Sequence, residues 1–155
     1  MISLRELKSR LPKSPSGCHC KFVKIDEVVG IKVYRTQGMR DGCFNMQAKF
    51  AQHNLAAQVY QKLKIGDYFC YTTEVAEIWY DINEGWLIGD DNDHQRFYED
   101  RDVLKEDLYN TFNVDYVDCC EFNYGYIVRN GEKILVFIDT DPDTFYENDE
   151  DDYEN

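Results

Sequence analysis

Tyr124-Gly125-Tyr126-Ile127-Val128-Arg129-Asn130-Gly131-Glu132-Lys133-Ile134-Leu135-Val136-Phe137-Ile138-Asp139 decides how this chain is read. Two apolar runs, residues 124–128 and 133–138, flank the pair Asn130-Gly131. A two-residue type I′ turn needs positive φ at both central positions, and Asn followed by Gly meets that need at little steric cost. The stretch is therefore expected to form a β-hairpin. With Asn130 and Gly131 at its tip, Asn123 falls opposite Ile138 and Phe122 opposite Asp139. An amide oxygen and a carboxylate thus come to the open end of one hairpin. Both are oxygen donors of the kind Mg²⁺ takes, while it keeps part of its water shell. Asp118 precedes Asn123 closely enough for a short loop to bring its carboxylate to the same end, where it can accept a hydroxyl proton.

Working outward, residues 20–25 and 29–35 read as two strands around a turn at Asp26-Glu27. On the second strand Ile31 and Val33 share one face and Lys32 takes the other. Residues 39–60 read as a helix, with Phe44, Ala48, Ala51 and Leu55 at three- and four-residue steps and Asn54 as a C-cap. The chain is then expected to turn over residues 61–66 and to be strand-rich over 67–79. Residues 81–93 are polar, anchored by Trp86, Leu87 and Ile88. Residues 95–112 read as a second long helix, with Phe97, Val103, Leu104, Leu108 and Phe112 on its apolar side. A short amphipathic helix is expected over residues 1–11. The mixture implies an α+β fold, organised as a single domain over residues 1–141 with an acidic, mobile C-terminal tail over 142–155.

Composition narrows the function. The 155 residues are 43 % hydrophobic and 15 % aromatic, enough to bury a core. The formal net charge of −13 repels nucleic acid as a whole. It permits a nucleotide site in which Mg²⁺ neutralises the carboxylates, or an acidic surface that occupies a basic site on another protein. Residues 1–10 carry charges and no apolar signal core, and no run approaches membrane-span length, so a cytoplasmic location with free thiols is expected. Cys18-His19-Cys20 and Cys119-Cys120 lack the two-residue spacing of paired zinc thiolates, which argues against zinc. Haem and flavin are not part of this reading. Oligomeric state is not legible.

Asp118-Cys119-Cys120-Glu121-Phe122-Asn123 has the form Asp, four residues, Asn. It resembles the catalytic loop of protein-kinase-like enzymes, and the hairpin ending in Asp139 resembles the strands that lead to their metal-binding Asp. Ser16-Gly17-Cys18-His19-Cys20-Lys21-Phe22-Val23 is similar to a reduced phosphate-covering loop, and Gly30-Ile31-Lys32-Val33-Tyr34 resembles the strand that carries the phosphate-pairing Lys. Residues 39–60 would be the helix behind it. Tyr71-Thr72-Thr73-Glu74-Val75-Ala76-Glu77 looks like the strand and hinge that meet adenine through backbone hydrogen bonds, and residues 95–112 like the helix before the catalytic loop.

The resemblance spans residues 17–141. It implies a protein-kinase-like fold with a sheet-rich N-lobe and a minimal, truncated C-terminal part, of the small type found among bacteriophage genes and acting in a host cytoplasm. It implies ATP and Mg²⁺ as cofactors: Gly17, Glu74 and Ala76 at the nucleotide, Lys32 on the phosphates, Asn123 and Asp139 on the metal, and Asp118 accepting a proton in an atypical phosphotransferase. The pattern also departs from the family. Tyr116-Val117 stands where His-Arg is usual, and Thr140-Asp141 follows Asp139 instead of Phe-Gly. The Lys-partner Glu is absent from the first long helix, where Asn45 or Gln47 falls nearest. These departures keep a second class open, a non-catalytic acidic interaction or inhibitor protein that binds a basic site on a host protein. Each residue also has a plain alternative: Lys32 as a solvent-facing lysine on an edge strand, Asp118 as a turn cap, and Asp139 as part of the acidic tail.

Overall fold

The structure, a computed structural model, describes residues 1–11, 20–117 and 120–147. The chain divides into two compact units, Met1–Ala76 and Glu77–Asn155. The boundary falls inside the stretch read as a hinge.

In the first unit, helix α1 (Leu4–Arg10) is followed by strands β1 (Lys21–Lys24) and β2 (Val29–Tyr34), helix α2 (Gln37–Ala51), and strands β3 (Val59–Ile65) and β4 (Tyr68–Glu74). The strands form one antiparallel sheet in the order β1-β2-β4-β3, so β2 and β4 are central. Alternation sends Ile31, Val33 and Cys70 to one face, where they pack with Val23, Ile65 and Leu7 of α1. The other face presents Tyr34 and Tyr71, which pack with Cys43 and Phe44 of α2. The sheet is thus a middle layer with a helix on each side. Burying each such apolar side chain contributes about 1.5–3 kcal/mol.

Helix α2 begins at the cap Thr36, whose hydroxyl accepts the Met39 N–H, and it ends earlier than the periodicity implies. Asn54 takes φ +57°, the left-handed conformation that Asn tolerates, so it lies in the turn after the helix. Residues 59–65, read as the end of a helix and a turn, are instead the edge strand β3. The strand is rich in Gln and Lys, as exposed edges often are, and this polarity conceals it in the sequence.

In the second unit, a short hairpin of β5 (Tyr80–Asp81) and β6 (Trp86–Leu87) precedes helix α3 (Asp91–Phe112). Strand β7 (Val114–Tyr116) pairs antiparallel with β10 (Phe145–Glu147), and β8 (Tyr124–Arg129) pairs with β9 (Glu132–Phe137). Asp90 and Asp93 form a reciprocal capping box at the start of α3, and Asn113 ends the helix at φ +55°. Phe97, Leu104 and Leu108 of α3 are buried, whereas Val103, expected on the apolar side, is exposed. The core is aromatic: Tyr116 meets Phe137 and Phe145 at 4.8 and 4.9 Å between ring centroids, and Tyr124 meets Phe137 at 5.6 Å. Pro142–Glu147, read as the start of an acidic tail, is a 3-10 turn followed by the paired strand β10. Among the described residues no helix is long and apolar enough to cross a membrane.

Candidate functional site

Lys32 lies on the central strand β2 and is only 7 % exposed, which removes the reading of a solvent-facing lysine on an edge strand. Its Nζ donates to Oε1 of Gln47 at 3.1 Å and lies 5.8 Å from the centroid of the Tyr71 ring. Gln47, itself buried, reaches this position from α2. Its four hydrogen-bonding positions are filled. Oε1 accepts from Lys32 Nζ and from Tyr71 Oη at 2.7 Å, while Nε2 donates to the Ala57 carbonyl at 2.9 Å and to Thr73 Oγ1 at 2.7 Å. These partners fix the amide orientation. An ammonium can only donate and a carbonyl can only accept, so the amide oxygen must face Lys32 and the amide nitrogen must face Ala57. The same chemistry explains why an amide stands here: a carboxylate would turn an acceptor onto the Ala57 carbonyl.

Around this network the polar groups are drawn into one buried cluster. Tyr34 Oη and Tyr71 Oη approach to 3.4 Å with their rings stacked, and burial pushes the Tyr34 phenol well above its ordinary range. On the same face as Lys32, the ring of Phe22 lies directly against Gly30. A Cβ at residue 30 would overlap that ring, so glycine is what permits the approach. Phe22 remains substantially exposed, an aromatic surface next to the lysine strand.

The stretch read as a hinge follows β4. The Glu74 N–H donates to the Gln58 carbonyl and the Val75 N–H to the Val28 carbonyl, each at 2.8 Å. The Glu74 carboxylate accepts the Gln58 N–H at 3.2 Å, so this side chain ties the strand end. Neither backbone group of Ala76 has a hydrogen-bond partner among the described residues. Gly17 lies outside the described residues.

In the second unit the Asn130-Gly131 turn has φ +54° and +78°, the signs a type I′ turn requires. The register runs from Arg129↔Glu132 to Tyr124↔Phe137, and the Ile138 N–H donates to the Asn123 carbonyl at 2.8 Å. Asn123 therefore sits opposite Ile138, the residue before Asp139, as the turn dictates. Asn123 is buried. Asp139 Oδ1 accepts the Asp141 N–H at 3.0 Å, which leaves Oδ2 without a hydrogen bond among the described residues. No group of three or more His, Cys, Asp or Glu side chains suited to a metal occurs among the described residues. Asp118 lies outside the described residues, so the geometry of this end is drawn from Asn123 and Asp139.

The chain matches no protein-family model, and no curated protein sequence matches it significantly.

Proposed function

We propose that the chain is a kinase-like protein that binds ATP with Mg²⁺. The observation that carries this reading is the buried Lys32–Gln47 contact. A lysine on a central strand is held by a side chain from the helix that follows that strand, which is how kinase-like folds position the lysine that pairs ATP phosphates. The helix partner in those folds is Glu, and here it is Gln.

Three further features support the reading. The order of Lys strand, helix, and strand β4 running into the hinge-like stretch follows that of the resemblance. Ala76 offers a free N–H and a free carbonyl at the hinge, the groups that adenine needs. Phe22 offers an exposed ring for stacking on the lysine face. Mg²⁺ carried by the nucleotide would neutralise phosphate charge that an acidic protein otherwise repels. Phosphoryl transfer to a small hydroxyl is the further step of this reading and falls to Asp118 as proton acceptor.

Titration of Mg²⁺–ATP into the wild type and into Ala76→Pro tests it. Proline removes the N–H offered to adenine. Saturable binding that weakens tenfold or more in the variant is expected. Equal affinity in the two proteins would remove the hinge from the site, and absence of binding at millimolar ATP would end the nucleotide reading.

A further inference from the structure

The hairpin before α3 exposes what a globular chain ordinarily buries. Ile82, Trp86 and Ile88 are 76 %, 71 % and 54 % exposed within seven residues of sequence. The sequence reading has Trp86, Leu87 and Ile88 as anchors, and only Leu87 is buried. The register explains the division. Asp81 pairs with Trp86 and Tyr80 with Leu87, and the Ile88 N–H continues the ladder by donating to the Trp79 carbonyl at 2.7 Å. Alternation then sends Trp86 and Ile88 to one face and Leu87 to the other.

The display is held in place. Asp81 Oδ1 accepts the N–H groups of Asn83 and Glu84 at 2.9 and 3.3 Å, and Gly85 closes the turn at φ +73°. Gly89, at φ +99°, leads into the capping box of α3, and a Cβ there would overlap the Asp93 carboxylate. Both ends of the hairpin are thus fixed by hydrogen bonds and by glycine.

Charge identifies the occupant. Residues 77–95 contain Glu77, Asp81, Glu84, Asp90, Asp91 and Asp93 and no Lys or Arg. Lys133 pairs with Glu77 at 3.1 Å, and the other five acids have no Lys or Arg partner among the described residues. An exposed tryptophan and two isoleucines rimmed by acids have the composition of an interface centre with a charged rim. A second copy would set the same five acids against themselves on a protein of net charge −13. An anionic membrane would be repelled for the same reason.

We infer that the Tyr80–Leu87 hairpin, with Ile88, is a docking surface for a basic protein segment, one that places apolar side chains on Trp86 and Ile88 and Lys or Arg against the acidic rim.

The probe is a soluble synthetic peptide of alternating Lys and Leu, titrated into the full chain without ATP, with an alternating Lys–Ser peptide as the charge-only control. The Lys–Leu peptide is expected to bind at least tenfold more tightly than the control. The double substitution Trp86→Ser with Ile88→Ser, at exposed positions, should weaken it at least tenfold with an unchanged melting temperature. The reversal Glu84→Lys with Asp91→Lys should do the same. Absent binding, or binding unaffected by either double variant, would overturn the assignment. So would a wild-type dimer in sedimentation, or pelleting with phosphatidylserine vesicles, that the Trp86→Ser, Ile88→Ser variant abolishes.

Discussion

The Nζ of Lys32 lies 3.1 Å from Oε1 of Gln47, a side chain fifteen residues further along the chain and on helix α2. Strand, helix and the hairpin strand β4 all meet at this contact, through Lys32, Gln47, and Tyr71 with Thr73. Buried polar clusters of this kind stabilise only when every member is satisfied, and here the amide satisfies four groups at once.

Gln47 should accordingly be one of the least replaceable residues of the first unit. Gln47→Leu strands Lys32, the Tyr71 hydroxyl and the Ala57 carbonyl without that partner and is expected to cost about 3 kcal/mol. Gln47→Glu restores an ion pair to Lys32 but sets an acceptor on Ala57, and should destabilise by about 1–3 kcal/mol. Urea unfolding of both variants checks this. A wild-type midpoint for Gln47→Leu would show that the cluster contributes nothing.

At the hairpin tip, Gly131→Ala forces an alanine into φ +78°. A loss of about 1–2 kcal/mol is expected, with the slope of ΔG against urea unchanged, because strain and not compactness is altered. An unaltered stability would mean that the turn relaxes to another type.

Much of the fold was legible because a few residues carried geometric necessity. Asn130-Gly131 dictated the turn, the turn dictated the register, and the register placed Asn123 opposite Ile138. The resemblance left Asn45 or Gln47 as the residue nearest the Lys-partner position, and the structure brings Gln47 to Lys32. Failures came where side-chain polarity and backbone structure diverge. Strand β3 hid behind Gln and Lys because an edge strand needs only one apolar face. Trp86 and Ile88 were read as anchors because hydrophobicity says what a residue prefers and not whether a neighbour covers it. The free backbone of Ala76 had no signal beyond its place in the hinge-like stretch, since hydrogen-bond vacancies are a property of tertiary structure.

Cysteine reactivity should follow burial. Cys70 is buried and burial pushes its thiol up to about 11, whereas Cys20 and Cys120 are exposed. A disulfide reagent at pH 8 is expected to modify Cys20 and Cys120 and to reach Cys70 only on unfolding. Rapid labelling of Cys70 in the folded protein would contradict the packing of the sheet.

Alkali should weaken the fold through the same burial. Above about pH 9, the ordinary thiol value, the unfolded chain loses the Cys70 proton while the native protein keeps it, so the unfolding free energy falls with pH. The Tyr34 and Tyr126 phenols, both raised by burial, add the same sign above pH 10. Cys70→Ala should flatten the part of the curve between pH 9 and 11. Identical curves would place the lost stability elsewhere.

Acid acts through the caps. The Asp93 N–H holds the Asp90 carboxyl below its ordinary value of 3.8, so its contribution is present above that pH and lost as pH falls below it. Asp90→Asn keeps a good N-cap without the charge. It should leave helicity at pH 7 unchanged and reduce the loss of stability between pH 4 and 2. A steeper acid loss in the variant would contradict the assignment.

The most direct measurement is thermal unfolding with and without Mg²⁺–ATP, for the wild type and Lys32→Ala. A ligand that binds only the native protein stabilises it by about 2.7 kcal/mol at a hundredfold excess over its Kd, several degrees for a chain of this size. The account predicts a Mg²⁺-dependent rise in the wild type that is lost in Lys32→Ala, whose unliganded transition remains cooperative. A wild-type melting temperature unmoved by millimolar Mg²⁺–ATP, or a rise of equal size in Lys32→Ala, would contradict it.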